Sequence, residues 1–177
     1  MRHIPNFISV LRILLVVPVA IALASHRYVL SIVLFGLAAA SDAADGYLAK
    51  RFHWQSELGG VLDPIADKLL LATAFVTLSL LDLVPLWLMV VVVARDIVIV
   101  SGAAAYRLLI GRVAAHPSMI SKFNTVCQAA FILEVIVSAQ FSAPAHWVTL
   151  WLGALVFATT IVSGLDYVLV YGRRAAA

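Results

Sequence analysis

Six stretches of predominantly apolar residues, at about 7–24, 28–48, 61–81, 84–106, 119–141 and 147–171, follow one another with only short linkers between them. A helix needs about 20 residues to cross a bilayer core, so each stretch is long enough to span one and together they use most of the 177 residues. An unpaired backbone N–H or C=O in hydrocarbon costs several kcal/mol, and none of the stretches has the alternation of a transmembrane barrel, so each is predicted to be helical. At 64% hydrophobic and 12% charged residues, with a mean hydropathy of +1.07, the chain has too little polar surface to clothe a water-soluble fold of this length. The expected fold is an all-α polytopic membrane protein, a six-transmembrane-helix bundle with a short N-terminal interfacial segment at about residues 2–8, forming a single domain over 1–177.

The net charge of +3 comes from basic residues scattered singly between apolar runs, with no stripe or aromatic interleaving, which excludes a nucleic-acid partner. Topology accounts for them. With six crossings, one side carries Arg2, Lys50, Arg51, Arg107, Arg112, Arg173 and Arg174, and the other carries Arg27 and Asp82. The positive-inside rule then places both termini in the cytoplasm. Ala22-Leu23-Ala24 also fits a signal-peptide cleavage site, but Arg12 interrupts the apolar region before it, and removing that helix would spoil the charge bias. The single cysteine, Cys127, has no metal-ligand spacing around it and reads as a small packing residue.

An ionised residue in a crossing costs about 2.5–3.5 kcal/mol on insertion scales, so each one needs a reason. Four aspartates fall in one window: Asp42-Ala-Ala-Asp45-Gly46-Tyr-Leu-Ala49-Lys50-Arg51, a polar link, then Gly59-Gly60-Val-Leu-Asp63-Pro64-Ile-Ala-Asp67-Lys68. On a helix, Asp42, Asp45, Gly46 and Ala49 share one face, and Asp63 and Asp67 share a face of the next. A helical hairpin would bring these faces together. Converging carboxylates repel unless cations intervene, and an all-oxygen ligand set favours a hard ion, Mg²⁺ or Mn²⁺, with four carboxylates sufficient for two ions. Gly46 and Ala49 lack bulk, so a flat ligand can lie close to the backbone beside the metal. The alternative is that these aspartates pair with Lys50, Arg51 and Lys68 as interfacial charges, which would suit one or two of them but not four at this spacing. By topology the cluster lies near the cytoplasmic ends of the second and third helices.

Other charges carry two readings each. Arg12 could meet a lipid diphosphate or snorkel to the interface. Lys122, and less strongly Arg107 and Arg112, could contact a phosphate of an acceptor, or could serve as an ion-pair partner and as orientation signals. Arg95 and Asp96, deep in the fourth stretch, read as a mutual or interhelical pair. Glu134 and Asp166 also lie within crossings, with no partner evident from sequence. Lys68 reads as interfacial, and His53 and His116 as solvated loop residues.

At the aspartate window the chain resembles the CDP-alcohol phosphatidyltransferase family, whose signature is D-x2-D-G-x2-A-R-x8-G-x3-D-x3-D. Asp42, Asp45, Gly46, Ala49, Gly59, Asp63 and Asp67 fall on it with every gap matched. Lys50 stands at the signature's arginine, keeping the charge and losing the planar fork. The resemblance extends along the chain. Ile4-Pro5-Asn6-Phe7-Ile8-Ser9-Val10-Leu11-Arg12 is similar to the opening of the branch that makes phosphatidylglycerophosphate and cardiolipin. Arg95-Asp96, Pro117-Ser118-Met-Ile-Ser121-Lys122-Phe-Asn124-Thr125 and Tyr171-Gly172-Arg173-Arg174 are most similar to its CMP-forming cardiolipin synthases.

The resemblance implies a transferase that moves a phosphatidyl group from CDP-diacylglycerol to a glycerol-type acceptor and releases CMP. It favours phosphatidylglycerol as acceptor over glycerol 3-phosphate. It further implies that Asp42, Asp45, Asp63 and Asp67 bind metal, that Asp67 is also the general base, that Lys50 and Gly59 join Gly46 and Ala49 along the CDP-lipid, and that the protein is a homodimer; by position in the chain, Arg12 is a further candidate for the CDP-lipid, and Lys122, Arg107 and Arg112 are those for the acceptor. Two other classes fit less well. A cation transporter would show internal repeats, and an intramembrane prenyltransferase would carry two separated acidic motifs.

Overall fold

The computed structural model of the chain describes residues 4–52, 59–109, 119–141 and 146–175, with side chains at 11–41, 66–102, 119–141 and 147–169. The described residues are all-α, with six helices: α1 Ile4–Ala24, α2 Tyr28–Phe52, α3 Gly59–Leu80, α4 Leu86–Leu109, α5 Met119–Phe141 and α6 His146–Ala175. Each coincides with one apolar stretch, and α5 has the bounds expected from sequence. Residues 4–8, expected as a separate interfacial segment, are the first turns of α1. Helix α2 carries Asp42, Asp45 and Gly46 within the expected stretch and continues past it through Ala49 and Lys50, so their helical register holds. Among the described residues, two helical spans are long and apolar enough to cross a membrane, Met119–Phe141 and Trp147–Leu169, while Leu11–Ala24 and Tyr28–Ser41 are shorter apolar runs.

Helices α1 and α3 end in the same way. At α1, His26 N–H donates to Leu23 O and Arg27 N–H to Ala22 O; at α3, Asp82 N–H donates to Ser79 O and Leu83 N–H to Leu78 O. These are the paired bonds of a Schellman cap, which requires a left-handed residue after the helix. His26 (φ 55°) and Asp82 (φ 57°) take that place without being glycine.

Two compact units partition the chain. The first comprises Met1–Val84 with Ile132–Pro144, the second Pro85–Phe131 with Ala145–Ala177. In the first unit α1 packs against both α2 and α3. The buried face of α1 is Arg12, Val16, Val19 and Leu23, at offsets 0, 4, 7 and 11. On α3 the stripe Leu71, Ala74 and Leu78 is buried, and Asp67 begins it at the same offsets. Offsets of this kind trace one side of a helix. Ala38, Ala66 and Ala74 are fully enclosed and keep backbones close.

In the second unit α4 packs on α6 through glycines. Positions seven apart on α4, namely Leu88, Arg95 and Gly102, meet Gly153, Gly164 and Tyr167 in turn, so the two helices run parallel. Phe131 lies against Gly153, and Ser121 and Ser163 share Arg95, so the first half of α5 runs antiparallel to both. Trp87 stacks edge-on against Phe157 at 5.4 Å.

The exterior is more apolar than that of a water-soluble bundle. Leu14, Val17, Leu80, Met119, Val126 and Trp151 are among many large apolar side chains on the outside, while Arg12, Arg95, Asp96, Asn124, Gln128 and Glu134 are buried. Several helix hydroxyls are satisfied on their own helix. Ser41, Thr77, Ser101 and Thr125 each donate to the carbonyl four residues earlier.

Candidate functional site

Among the four aspartates, the described side chains include Asp67. Asp42, Asp45, Gly46, Ala49 and Lys50 lie on α2, and Gly59 and Asp63 on α3, in the register expected; their side chains, and the expected meeting of the two faces, lie outside the described residues. The described residues hold no group of three or more metal-ligating side chains. The chemistry of the donor set is what speaks to the metal. Four carboxylates on two consecutive helices, supplying only oxygen, fit a hard divalent ion.

Asp67 is anchored. The Arg12 guanidinium of α1 donates from Nη1 to Asp67 Oδ1 at 2.6 Å, joining residues 55 apart in sequence. The two ends of this pair differ in environment, for the Arg12 side chain is 1% exposed and that of Asp67 34%. The pair sits where the buried stripes of α1 and α3 begin, so hydrophobic packing fixes both backbones beside it. Sequence reasoning offered Arg12 as a contact for a lipid diphosphate; the structure gives it Asp67 as a partner. Lys68, next on the helix, is half-buried.

The second unit holds the remaining candidates. Lys122 is exposed on the first turn of α5, on a different face from the buried Asn124 and Gln128. Arg107 lies on α4 with its side chain outside the described residues, and Arg112, His53 and His116 lie outside them altogether. Arg95 forms the pair with Asp96 expected of it, Nη1 to Oδ1 at 2.6 Å, and does more. Its Nη2 donates to Ser121 Oγ on α5 at 2.8 Å and to Ser163 Oγ on α6, so one guanidinium ties three helices. One turn along, Thr160 Oγ of α6 donates to Asn124 Oδ1 at 3.0 Å, and Thr159 Oγ lies 2.8 Å from the same oxygen. Sequence reading missed these hydroxyl partners. The usable signal was a mid-helix arginine, which demands acceptors, together with serines at matching depth in two other apolar stretches. Cys127 is buried and free, as expected of a packing residue. A groove of about 330 Å³ lined by Pro18, Ile21, Ala22, Ser25, Arg27, Leu30 and Leu34 lies at the other end of α1 from Arg12.

The sequence profile of the CDP-alcohol phosphatidyltransferase family matches residues 2–162, and the chain belongs to that family. It is 36% identical over 174 residues to a CDP-diacylglycerol--glycerol-3-phosphate 3-phosphatidyltransferase of Pseudomonas fluorescens, covering 93% of this chain and 88% of the relative. It is 30% identical over 173 residues to a probable phosphatidylglycerophosphate synthase of Mycobacterium tuberculosis, covering 94% and 80%. It is 29% identical over 157 residues to the human cardiolipin synthase (CMP-forming), covering 80% of this chain and half of that longer relative. The chain is thus a phosphatidyltransferase of phospholipid biosynthesis, from a membrane-bound family whose members use divalent metal ions.

Proposed function

We propose that this chain transfers the phosphatidyl group of CDP-diacylglycerol to phosphatidylglycerol, forming cardiolipin and CMP, within a six-span bundle whose termini and aspartates face the cytoplasm. The observation that carries the chemistry is the aspartate signature on α2 and α3, with Asp67 part-exposed and held by Arg12. The apolar exterior and internally bonded hydroxyls support lipid as the surrounding solvent. We assign the metal to Asp42, Asp45, Asp63 and Asp67; when bound, it would neutralise the diphosphate and stabilise the departing CMP.

The protein's own groups divide the remaining work. Asp67 accepts the proton of the acceptor hydroxyl as its oxygen bonds to the phosphorus nearer diacylglycerol. The bond from that phosphorus to CMP breaks, and its electron pair leaves with CMP. Gly46, Ala49 and Gly59 leave room for the nucleotide against the backbone, and Lys50 supplies positive charge to its phosphates. Lys122, exposed at the start of α5, with Arg107 and Arg112, offers charge to a phosphate of the acceptor. The reading includes a homodimer, as the family resemblance implies.

Two observations bear on the acceptor. The run Pro117 to Thr125, most similar to CMP-forming cardiolipin synthases, supports phosphatidylglycerol. The higher identity and coverage shared with a relative named for glycerol 3-phosphate support that acceptor as the second reading. Incubating purified protein with CDP-diacylglycerol, Mn²⁺ and each acceptor separately, followed by lipid mass spectrometry, decides between them. Cardiolipin is the expected product, and phosphatidylglycerophosphate alone would establish the second reading.

A further inference from the structure

Arg12 is an expensive residue to place where the structure places it. It is 1% exposed and belongs to the stripe that packs α1 against α3, a position where an apolar side chain of similar size would serve packing equally well. From that buried position its Nη1 donates to one oxygen of a carboxylate that stays a third accessible. A group gripping the diphosphate of an incoming lipid would need to reach the accessible side, and here it is the carboxylate that does so. Resting on the phosphatidyl-transfer reading above, we propose that Arg12 is the positioning residue for Asp67. By holding Oδ1 from within the protein, it fixes the carboxylate's rotation and presents its accessible side to the acceptor hydroxyl.

The physical case has three parts. An aspartate turns about two side-chain bonds, and a base acts only within hydrogen-bond reach of the proton it takes. A charge-assisted bond of 2.6 Å from a planar guanidinium restricts that rotation more than a neutral donor would. The α1–α3 seam, continued by Val16, Val19 and Leu23 against Leu71, Ala74 and Leu78, keeps the two backbones from drifting apart. Misplacing a reacting group by about 1 Å costs on the order of 100-fold in rate. Arg12 therefore acts on turnover through Asp67 and leaves recognition of the donor lipid to other residues.

The test uses the full-length protein in mixed micelles with Mn²⁺, comparing wild type with Arg12→Gln and Arg12→Lys. Turnover is followed as CMP release, and Mn²⁺ binding is measured separately by calorimetry without substrate. For Arg12→Gln the expected result is a kcat about 10- to 100-fold lower, KM for CDP-diacylglycerol within about threefold, and Mn²⁺ affinity undiminished, because the substitution removes a cation from beside a proposed ligand. Arg12→Lys keeps charge without the planar fork and is expected to recover part of kcat. If Arg12→Gln fails to fold, Arg12→Lys carries the test alone, with a lowered kcat at unchanged KM expected. A raised KM with kcat unchanged would return Arg12 to the donor lipid, and weaker Mn²⁺ binding would make it part of the metal site; either overturns the proposal, as does full kcat in the variant. A wild type that releases no CMP would instead overturn the phosphatidyl-transfer reading itself.

Discussion

Replacing Arg95 tests how the second unit is held together. Its guanidinium makes one contact within α4, to Asp96 at 2.6 Å, and two that reach other helices, to Ser121 at 2.8 Å and to Ser163. Interhelical hydrogen bonds of membrane proteins average about 0.6 kcal/mol and reach about 1.7, so Ser121→Ala and Ser163→Ala are each expected to cost about that much. Arg95→Lys keeps the charge but cannot fork to three acceptors, and about 1–2 kcal/mol should be lost. Arg95→Met removes one partner of a buried ion pair, a change worth about 3–5 kcal/mol. At roughly 2–4 °C per kcal/mol for a chain of this size, Arg95→Met should unfold about 6–20 °C below wild type. The assay is thermal unfolding in detergent followed by intrinsic tryptophan fluorescence. The order Met, then Lys, then either Ala is the fingerprint of a guanidinium strut. A methionine variant unfolding within about 2 °C of wild type, or a serine variant costing as much as it, would refute the reasoning.

Four further outcomes follow from local geometry and from the proposed site. Gly102→Leu should destabilise by about 1–3 kcal/mol, since a Cβ there already meets the Tyr167 ring at 3.0 Å, as read by the unfolding midpoint. Gly36→Ala should be neutral or stabilising by up to about 1 kcal/mol in the same assay, because nothing lies within 4 Å of the added atom. Asp82→Gly should raise stability by roughly 0.5–1 kcal/mol, by removing a side chain from a left-handed position. Asp42→Asn should lose Mn²⁺-dependent binding of CDP-diacylglycerol, measured by equilibrium binding to labelled donor, whereas Asp67→Asn should largely retain it.

Much of the fold was legible because apolar length and backbone hydrogen bonding leave a chain like this few choices; α5 was bounded to the residue by its apolar run. The boundaries that moved are informative. Helix α2 runs to Phe52, past the expected end at about 48, because a helix needs no unbroken apolar run to continue, and Asp42 to Lys50 contain no proline or β-branched residue to stop it. The Arg95–Asp96 pair could be read from adjacency and burial cost. The partnership of Arg12 with Asp67 could not, since it depends on which helix packs against α1 and in what register. Ser121 and Ser163 were invisible for the same reason. A hydroxyl in an apolar stretch satisfies itself on its own helix as readily as it serves a neighbour, as Ser41 and Ser101 do.

The central claim is metal-dependent phosphatidyl transfer with Asp67 as base. Its most direct test is CMP release from CDP-diacylglycerol by purified protein supplied with phosphatidylglycerol, with and without chelator, for wild type and Asp67→Asn. The account predicts CMP from wild type only when Mg²⁺ or Mn²⁺ is present, together with loss of turnover in Asp67→Asn despite retained donor binding. CMP release that survives chelation, or an Asp67→Asn variant that turns over as wild type does, would contradict it.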